Sequence, residues 1–264
     1  RRDKSGERTY RRADSCRPFL RPVNVTSSFY LPPEMIREGR FSLPEEEARH
    51  ATKVLRMHPG DKIVLVDGEG GWYRAVIEGV DRHSVTGTVL DSRRDVGEPK
   101  WRLTIGMALV KNRARFETFL EKAVELGAYS IIPLTTDRTE KESVRGQRAE
   151  NILISAMKQC GRSRLTRLET PRSLDDFLRR ERFDLCLCCH EGAAPDRGVI
   201  DVLRSSPPAE SVAILIGPEG GFTDSEIESA VRSGYEIVTL GARRLRAETA
   251  GIAAAAAVSL SLGG

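Results

Sequence analysis

A chain of 264 residues with 39% apolar side chains holds enough material for one large domain or two modest ones with real cores. Its formal charge of +4 is misleading: residues 1–22 carry eight Lys/Arg against three Asp/Glu, a surplus of five, so the rest of the chain sums to about −1. A globally basic protein that coats nucleic acid is excluded, and so is a membrane partner, because no apolar run reaches the roughly 18 residues of a span.

Residues 1–26 are arginine-rich without apolar periodicity and are expected to form a disordered basic tail; their acidic residues and lack of an apolar core argue against a standard targeting signal. Residues 27–92 alternate short strand patterns ("SSFYL", "GRFSL", "KIVLVDG", "WYRAVIEGV", "VTGTVLDS") with turns, which predicts a small β-barrel. One helix interrupts them, with Pro44 at its first position and "EEEARHATKVLR" following. Residues 93–100 read as a linker. Over 101–264 strands and helices alternate, as in a parallel α/β sheet. "RFETFLEKAVELG" makes a helical stripe ended by Gly127, and further helices are expected over "QRAENILISAMKQCG", 173–180, 224–233 and about 247–262. Five cysteines without regular spacing fit buried thiols in a reducing, cytoplasmic compartment. "CLCCH" has no second Cys/His pair at ligand spacing, so no metal is expected. Basic residues concentrate over 93–115 and 138–172, as solvated helix faces or as local contacts to nucleic acid.

The densest chemistry lies in "IGPEGGFTDSEIE", 216–228. An apolar strand meets a glycine turn, then a helix start with Thr223 and Glu226 at capping-box spacing. Such a turn brings backbone close to a ligand. It lacks the Lys and Ser/Thr of a P-loop and the spacing of the dinucleotide fingerprint, and Glu219 and Asp224 would repel a polyphosphate. One strand later "EIVTLG" enters a second special turn, "ARRLRAETAG", at the same sheet edge. Two such loops can wall a flat apolar group and tolerate a cationic centre, the make-up of S-adenosylmethionine; two ordinary tight turns with a helix cap remain the alternative.

"IGPEGGFTDSEIE" followed by "LGARRLRAETAGIAA" resembles the paired C-terminal motifs of the RsmE family, uridine N3-methyltransferases of 16S ribosomal RNA in the small ribosomal subunit. "KNRARFETFLEKAVELGAYSIIPLTTDRTE", "QCGRSR", "FYLPP" and "ARHATKVLRMHPGD" extend the resemblance over roughly 28–262, with no counterpart for residues 1–26. It implies a C-terminal SPOUT-type parallel sheet with a trefoil knot, a preceding PUA-like barrel, S-adenosylmethionine as cofactor, a homodimer, and 16S ribosomal RNA or the small subunit as partner. The cofactor residues it implies are His190, Glu191, Ile216, Gly217, Glu219, Gly220, Gly221, Leu240, Leu245, Arg246, Thr249 and Ala250.

Uracil N3 must lose a proton before it can attack a methyl group, so a cation or a base is needed beside it. Arg246 is the candidate cation; Glu248 is the candidate proton acceptor or, equally, a helix cap. Cys160 is not required, because N3 chemistry uses no cysteine nucleophile. RNA contacts are expected at Arg138, Lys158, Arg162 and Arg164, with His50 and Arg56 on the barrel; His50 fits equally well as a residue facing its own domain. Trp72 and Tyr73 would stack bases or fill the barrel core.

Overall fold

The computed structural model describes residues 27–81, 83–139 and 146–263; the tail expected at 1–26 and the "EKESVR" stretch lie outside them. The first sheet comprises β1 (Ser28–Tyr30), β2 (Ile36–Arg37), β3 (Arg40–Ser42), β4 (Lys62–Val66), β5 (Gly71–Val80) and β6 (Val85–Arg94). Its order is β1-β4-β5-β6-β3-β2, antiparallel except for β1 beside β4. Register shifts in the long β5–β6 hairpin bend it around a core of Phe29, Leu31, Phe41, Ile63, Leu65 and Ile77. The expected helix is present but tighter at its start and looser at its end. Pro44 caps α1 (Glu45–Arg49) from outside it, and at His50 the chain widens into a π turn, His50–Val54.

The second sheet is wholly parallel, in the order β10-β8-β7-β12-β11-β13 with β9 beside β8. Its strands are β7 (Arg102–Ala108), β8 (Ala128–Thr135), β9 (Arg167–Leu168), β10 (Arg172–Ser173), β11 (Leu185–Cys189), β12 (Ser211–Ile216) and β13 (Glu236–Val238). The helices are α2 (Arg113–Glu125), α3 (Gly146–Cys160), α4 (Leu174–Arg180), α5 (Val199–Ser205), α6 (Asp224–Arg232) and α7 (Ala247–Ser261). Both faces are covered, hence the near-continuous apolar runs of β7, β8 and β12. Leu103, Ile105, Met107, Val212 and Ile214 face α2, α3, α5 and α7. Ile132, Leu134, Ala213 and Leu215 face α4 and α6. The helix α5 was not expected: it is short, β-branched and bounded by Gly198 and Pro207, so its periodicity is weak.

The chain changes face near its end. α6 lies on the α4 side and α7 on the other, and Gly251 lets α7 approach so closely that a Cβ there would stand 2.6 Å from the Phe119 ring. Between them Thr239 is held at the sheet edge: its N–H donates to Arg197 O at 2.9 Å and its carbonyl accepts from the Val199 N–H at 3.0 Å.

The stretch expected as a linker is pinned. Glu98 is buried and accepts from Arg162 Nη2 at 2.8 Å and from the N–H groups of Ser163 and Arg164 at 3.0 and 2.8 Å. Arg162, 4% exposed, also donates to the carbonyls of Val124 and Ala128 and to Thr166. Backbone bonds from Leu165 N–H to Gly68 O and from Gly70 N–H to Ser163 O join the two sheets' domains, and Val64 and Val66 pack into the larger core. Arg162→Ala is expected to lower unfolding stability in a urea titration by about 3–5 kcal/mol, because Glu98 is left buried without its partner.

Candidate active site

Three consecutive loops leave the C-terminal ends of β11, β12 and β13, where open α/β sheets place ligands. The middle one is a turn closed by the Gly221 N–H to Pro218 O at 2.9 Å, with Gly221 at φ +71°, a conformation other residues resist. The α6 start then locks it: Thr223 and Glu226 form the expected capping box. Glu226 also accepts from the Asp137 N–H, tying in the loop after β8.

The loops enclose a cavity of about 790 Å³. Of the residues expected to hold a cofactor, His190, Glu191, Ile216, Gly217, Glu219, Gly221, Leu240, Leu245, Arg246 and Ala250 line it together. Gly220 and Thr249 are not on its wall: Gly220 lies against the Arg138 side chain, and Thr249 is exposed in the first turn of α7. At Gly221 and Gly241 nothing stands within 4 Å of where a Cβ would be, so bare backbone faces the cavity at two points.

The polar groups divide by role. Glu219 accepts from the Lys111 N–H at 3.3 Å. Arg244 bridges two loops, with Nε 3.5 Å from Glu191 Oε2 and Nη2 donating to Glu219 O at 3.5 Å. Neither this bridge nor the wall positions of Cys189 and Phe222 were foreseen, although Arg244 stands within the quoted "ARRLR". Arg246 occupies the N-cap position of α7 with an extended backbone whose carbonyl accepts from the Ala250 N–H; its side chain is exposed and has no hydrogen bond or ion pair to a described residue. Glu248 is buried behind that wall in the first turn of α7. Its Oε1 is 3.6 Å from Arg115 Nε on α2, and its Oε2 has no partner among the described residues.

The residues expected to touch RNA do not cluster. Arg162 is buried and committed to Glu98, so it presents no face to a phosphate. Lys158 pairs with Glu47 of α1, and Arg164 pairs with Asp95, both at the domain junction. Arg138 is turned onto the glycine loop. His50 and Arg56 are exposed on the barrel, the His50 ring edge-on to Phe29. Trp72 packs into the larger core under Arg93, and Tyr73 donates to Asp67. Lys122 pairs with both Glu121 and Glu125.

The thiols are quiet. Strand alternation sends Cys188 into the α4/α6 core and Cys189 toward the cavity, and among the described residues no three His, Cys, Asp or Glu side chains converge as for a metal. Burial pushes the half-buried Cys160 thiol up, away from nucleophilic character.

Comparison with known proteins accounts for both halves. Residues 97–259 match the RNA methyltransferase domain and residues 43–90 the RNA methyltransferase PUA domain. The ribosomal RNA small subunit methyltransferase E of Synechocystis sp. is 32% identical over 236 residues, 87% of this chain and 76% of that protein. The chain belongs to this RNA methyltransferase family. The family's enzyme from Neisseria gonorrhoeae, solved bound to S-adenosyl methionine, superposes with a TM-score of 0.79 at 29% identity, covering 89% of this chain and 97% of that one. A methyltransferase-like protein from Legionella pneumophila, solved with the cofactor SAM, gives 0.77 at 32% identity over the same shares. With these relatives the fold is a SPOUT-type α/β domain joined to a PUA-like barrel.

Cys189 tests how closed this family member's cavity wall is. Burial raises its thiol from 9.0 to about 12, which leaves about a thousandth of an ordinary thiolate population at pH 8. In alkylation followed by peptide mass spectrometry, Cys189 is expected to react after Cys160 and Cys186 and before the more deeply buried Cys188, its rate still rising with pH beyond pH 9.

Proposed function

We propose that this chain methylates N3 of a specific uridine in 16S ribosomal RNA of the small subunit, with S-adenosylmethionine as donor. One observation carries the chemistry: an uncommitted cation, Arg246, stands on the wall of an apolar, glycine-floored cavity in a chain of this family. The residues fit that donor. Ile216, Leu240, Leu245 and Ala250 offer an apolar slot, and the backbone at Gly221 and Gly241, whose N–H groups are bonded within their own turns, offers carbonyl acceptors for the rim of a purine. Glu219 and Glu191 suit a cation where they would repel a polyphosphate.

The bound donor supplies an electrophilic methyl group. The protein's part is to hold the uracil edge in line and to favour its deprotonated form. Arg246, fixed by the start of α7, stabilises the negative charge that develops on the base as N3 gives up its proton. Glu248, turned to Arg115 behind the wall, serves to set the first turn of α7 and so the direction of Arg246.

RNA is gripped by the barrel through exposed Arg56 and His50. The trefoil knot is supported by the change of face between α6 and α7 and by Thr239 lying bonded beneath the loop that precedes α5. A homodimer is supported by α7, which has no charged face beyond its first turn and leaves Leu260 84% exposed, while Ile200 is exposed on neighbouring α5. In such a dimer one barrel can present RNA to the partner's cavity. Action on ribosomal RNA supports a cytoplasmic location.

Nucleoside mass spectrometry of 16S ribosomal RNA from a deletion strain should lack one N3-methyluridine, restored by the intact gene; persistence of that nucleoside removes the assignment. Arg246→Ala is expected to lower kcat about a hundredfold while calorimetric affinity for S-adenosylmethionine changes only a few-fold. Leu260→Glu should move the protein toward monomer in sedimentation at micromolar concentration, since a charge would have to be buried in the apolar interface.

A further inference from the structure

Arg138 follows β8 in "PLTTDR", at the end of a loop closed on itself by Thr136 and Thr139: the Thr136 N–H donates to Thr139 Oγ1 at 2.9 Å, and the Thr139 N–H to Thr136 O at 3.0 Å. From this stiff support the side chain reaches across to the glycine turn. Nη1 donates to the carbonyl of Gly220 at 2.7 Å and, more weakly, to that of Phe222 at 3.4 Å. The aliphatic stem lies over Gly220, where an added Cβ would meet Arg138 Cδ at 3.2 Å and Cβ at 3.4 Å. Two further bonds fasten the same pair of loops: the Asp137 N–H to Glu226 Oε1 at 2.9 Å, and Thr223 Oγ1 to Asp137 Oδ2 at 3.2 Å.

We infer that Arg138 is a positioning residue of the cofactor loop, holding the Gly217–Phe222 turn open and in register for the donor, and not a contact to RNA phosphate. This rests on the reading of the cavity as the S-adenosylmethionine site. The turn contains three glycines and no regular bonds of its own beyond Gly221 N–H to Pro218 O, so its conformation depends on outside anchors. A charged donor to its carbonyls is the strong kind of anchor. It also leaves the turn's free N–H groups to the cavity, because it takes up acceptors only. Lysine reproduces the arrangement only in part: both bonds leave Nη1, and a lysine ammonium ends one bond short of that position.

The test uses the full chain with Arg138→Ala and Arg138→Lys. In the ligand-free protein, hydrogen exchange of the Gly221 amide, the turn's bonded N–H, followed by NMR should accelerate about tenfold in Arg138→Ala, with α2 and β4 unchanged, and by less in Arg138→Lys. Calorimetry should show affinity for S-adenosylmethionine about tenfold weaker in Arg138→Ala, and kinetics a matching rise in KM for the donor with kcat within twofold. Affinity for a 16S ribosomal RNA fragment should stay within twofold. Unchanged exchange in the turn overturns the inference, as does a fall in RNA affinity with donor affinity intact. If the unsubstituted protein takes up no donor, the cofactor reading fails, while the exchange measurement still decides the role of Arg138. Should Arg138→Ala not fold, Arg138→Lys carries the same readouts.

Discussion

The cavity exists because a few backbone hydrogen bonds hold Thr239 against Arg197 and Val199 at the margin of the parallel sheet. They add to the pairing of β13 with β11 and to the His190 N–H bond to Val238 O, which already bring the chain leaving β13 beside the loop that follows β11. With them it is delivered across the sheet edge, from the side that carries α6 to the side that carries α7. The segment that makes this crossing, 241–246, is then forced to lie next to the loops after β11 and β12. Three walls that are far apart in sequence are thereby made neighbours, and the N-terminus of α7 is aimed at the space between them. α7 is fixed in turn by packing: it buries Ala254, Ala255 and Val258, and Gly251 admits the Phe119 ring. Shape at the site is thus inherited from the core.

Electrostatics serves architecture first. The second of the two basic stretches that suggest nucleic-acid patches is largely paired: Arg148 with Glu117, Lys158 with Glu47, Arg162 with Glu98, Arg164 with Asp95, Arg172 with Glu169 and Glu181. Arg102 and Arg167 are stacked on Tyr129. Several of these bonds cross between the barrel and the methyltransferase domain, which makes the junction a fitted joint with a buried carboxylate at its centre. A cluster of arginines in sequence therefore reports many acceptors nearby in space, and the exposed remainder is small.

Much of the fold was legible because its signals are local. The strands of the parallel sheet announce themselves as apolar runs, α2 and α3 as helical stripes, and the α6 start as a capping box that the coordinates reproduce bond for bond. Glycine turns after apolar strands at one sheet edge pointed to the two special loops, and the family resemblance supplied the eight residues in them, with His190 and Glu191 on the third wall, that line the cavity. What was not legible depends on partners distant in sequence. Glu98 looks like an ordinary linker acid until Arg162 is brought to it from 64 residues away. Arg138 looks like a surface cation until Gly220 arrives from 82 residues on. The short helix α5 was hidden by β-branched residues between Gly198 and Pro207, and the π turn at His50 has no periodic signature.

These fixed charges also divide the cations around the cavity into paired and unpaired ones. Arg244 is drawn to Glu191 and to the Glu219 carbonyl, so it closes the rim of the cavity. Arg115 faces buried Glu248, so its charge is compensated within the scaffold. Arg246, the extended N-cap residue of α7, and Arg243 earlier in the same loop have no carboxylate among the described residues within reach. Their exposed guanidinium groups are solvated and free to pair with an anion, and in the proposed reaction the base losing its N3 proton is the anion beside Arg246. The acids of the site are held back by backbone N–H groups and by Arg244, so they do not compete for Arg246. The division is physical: compensated charges set the walls, and Arg243 and Arg246, without a carboxylate among the described residues, are left to face whatever enters.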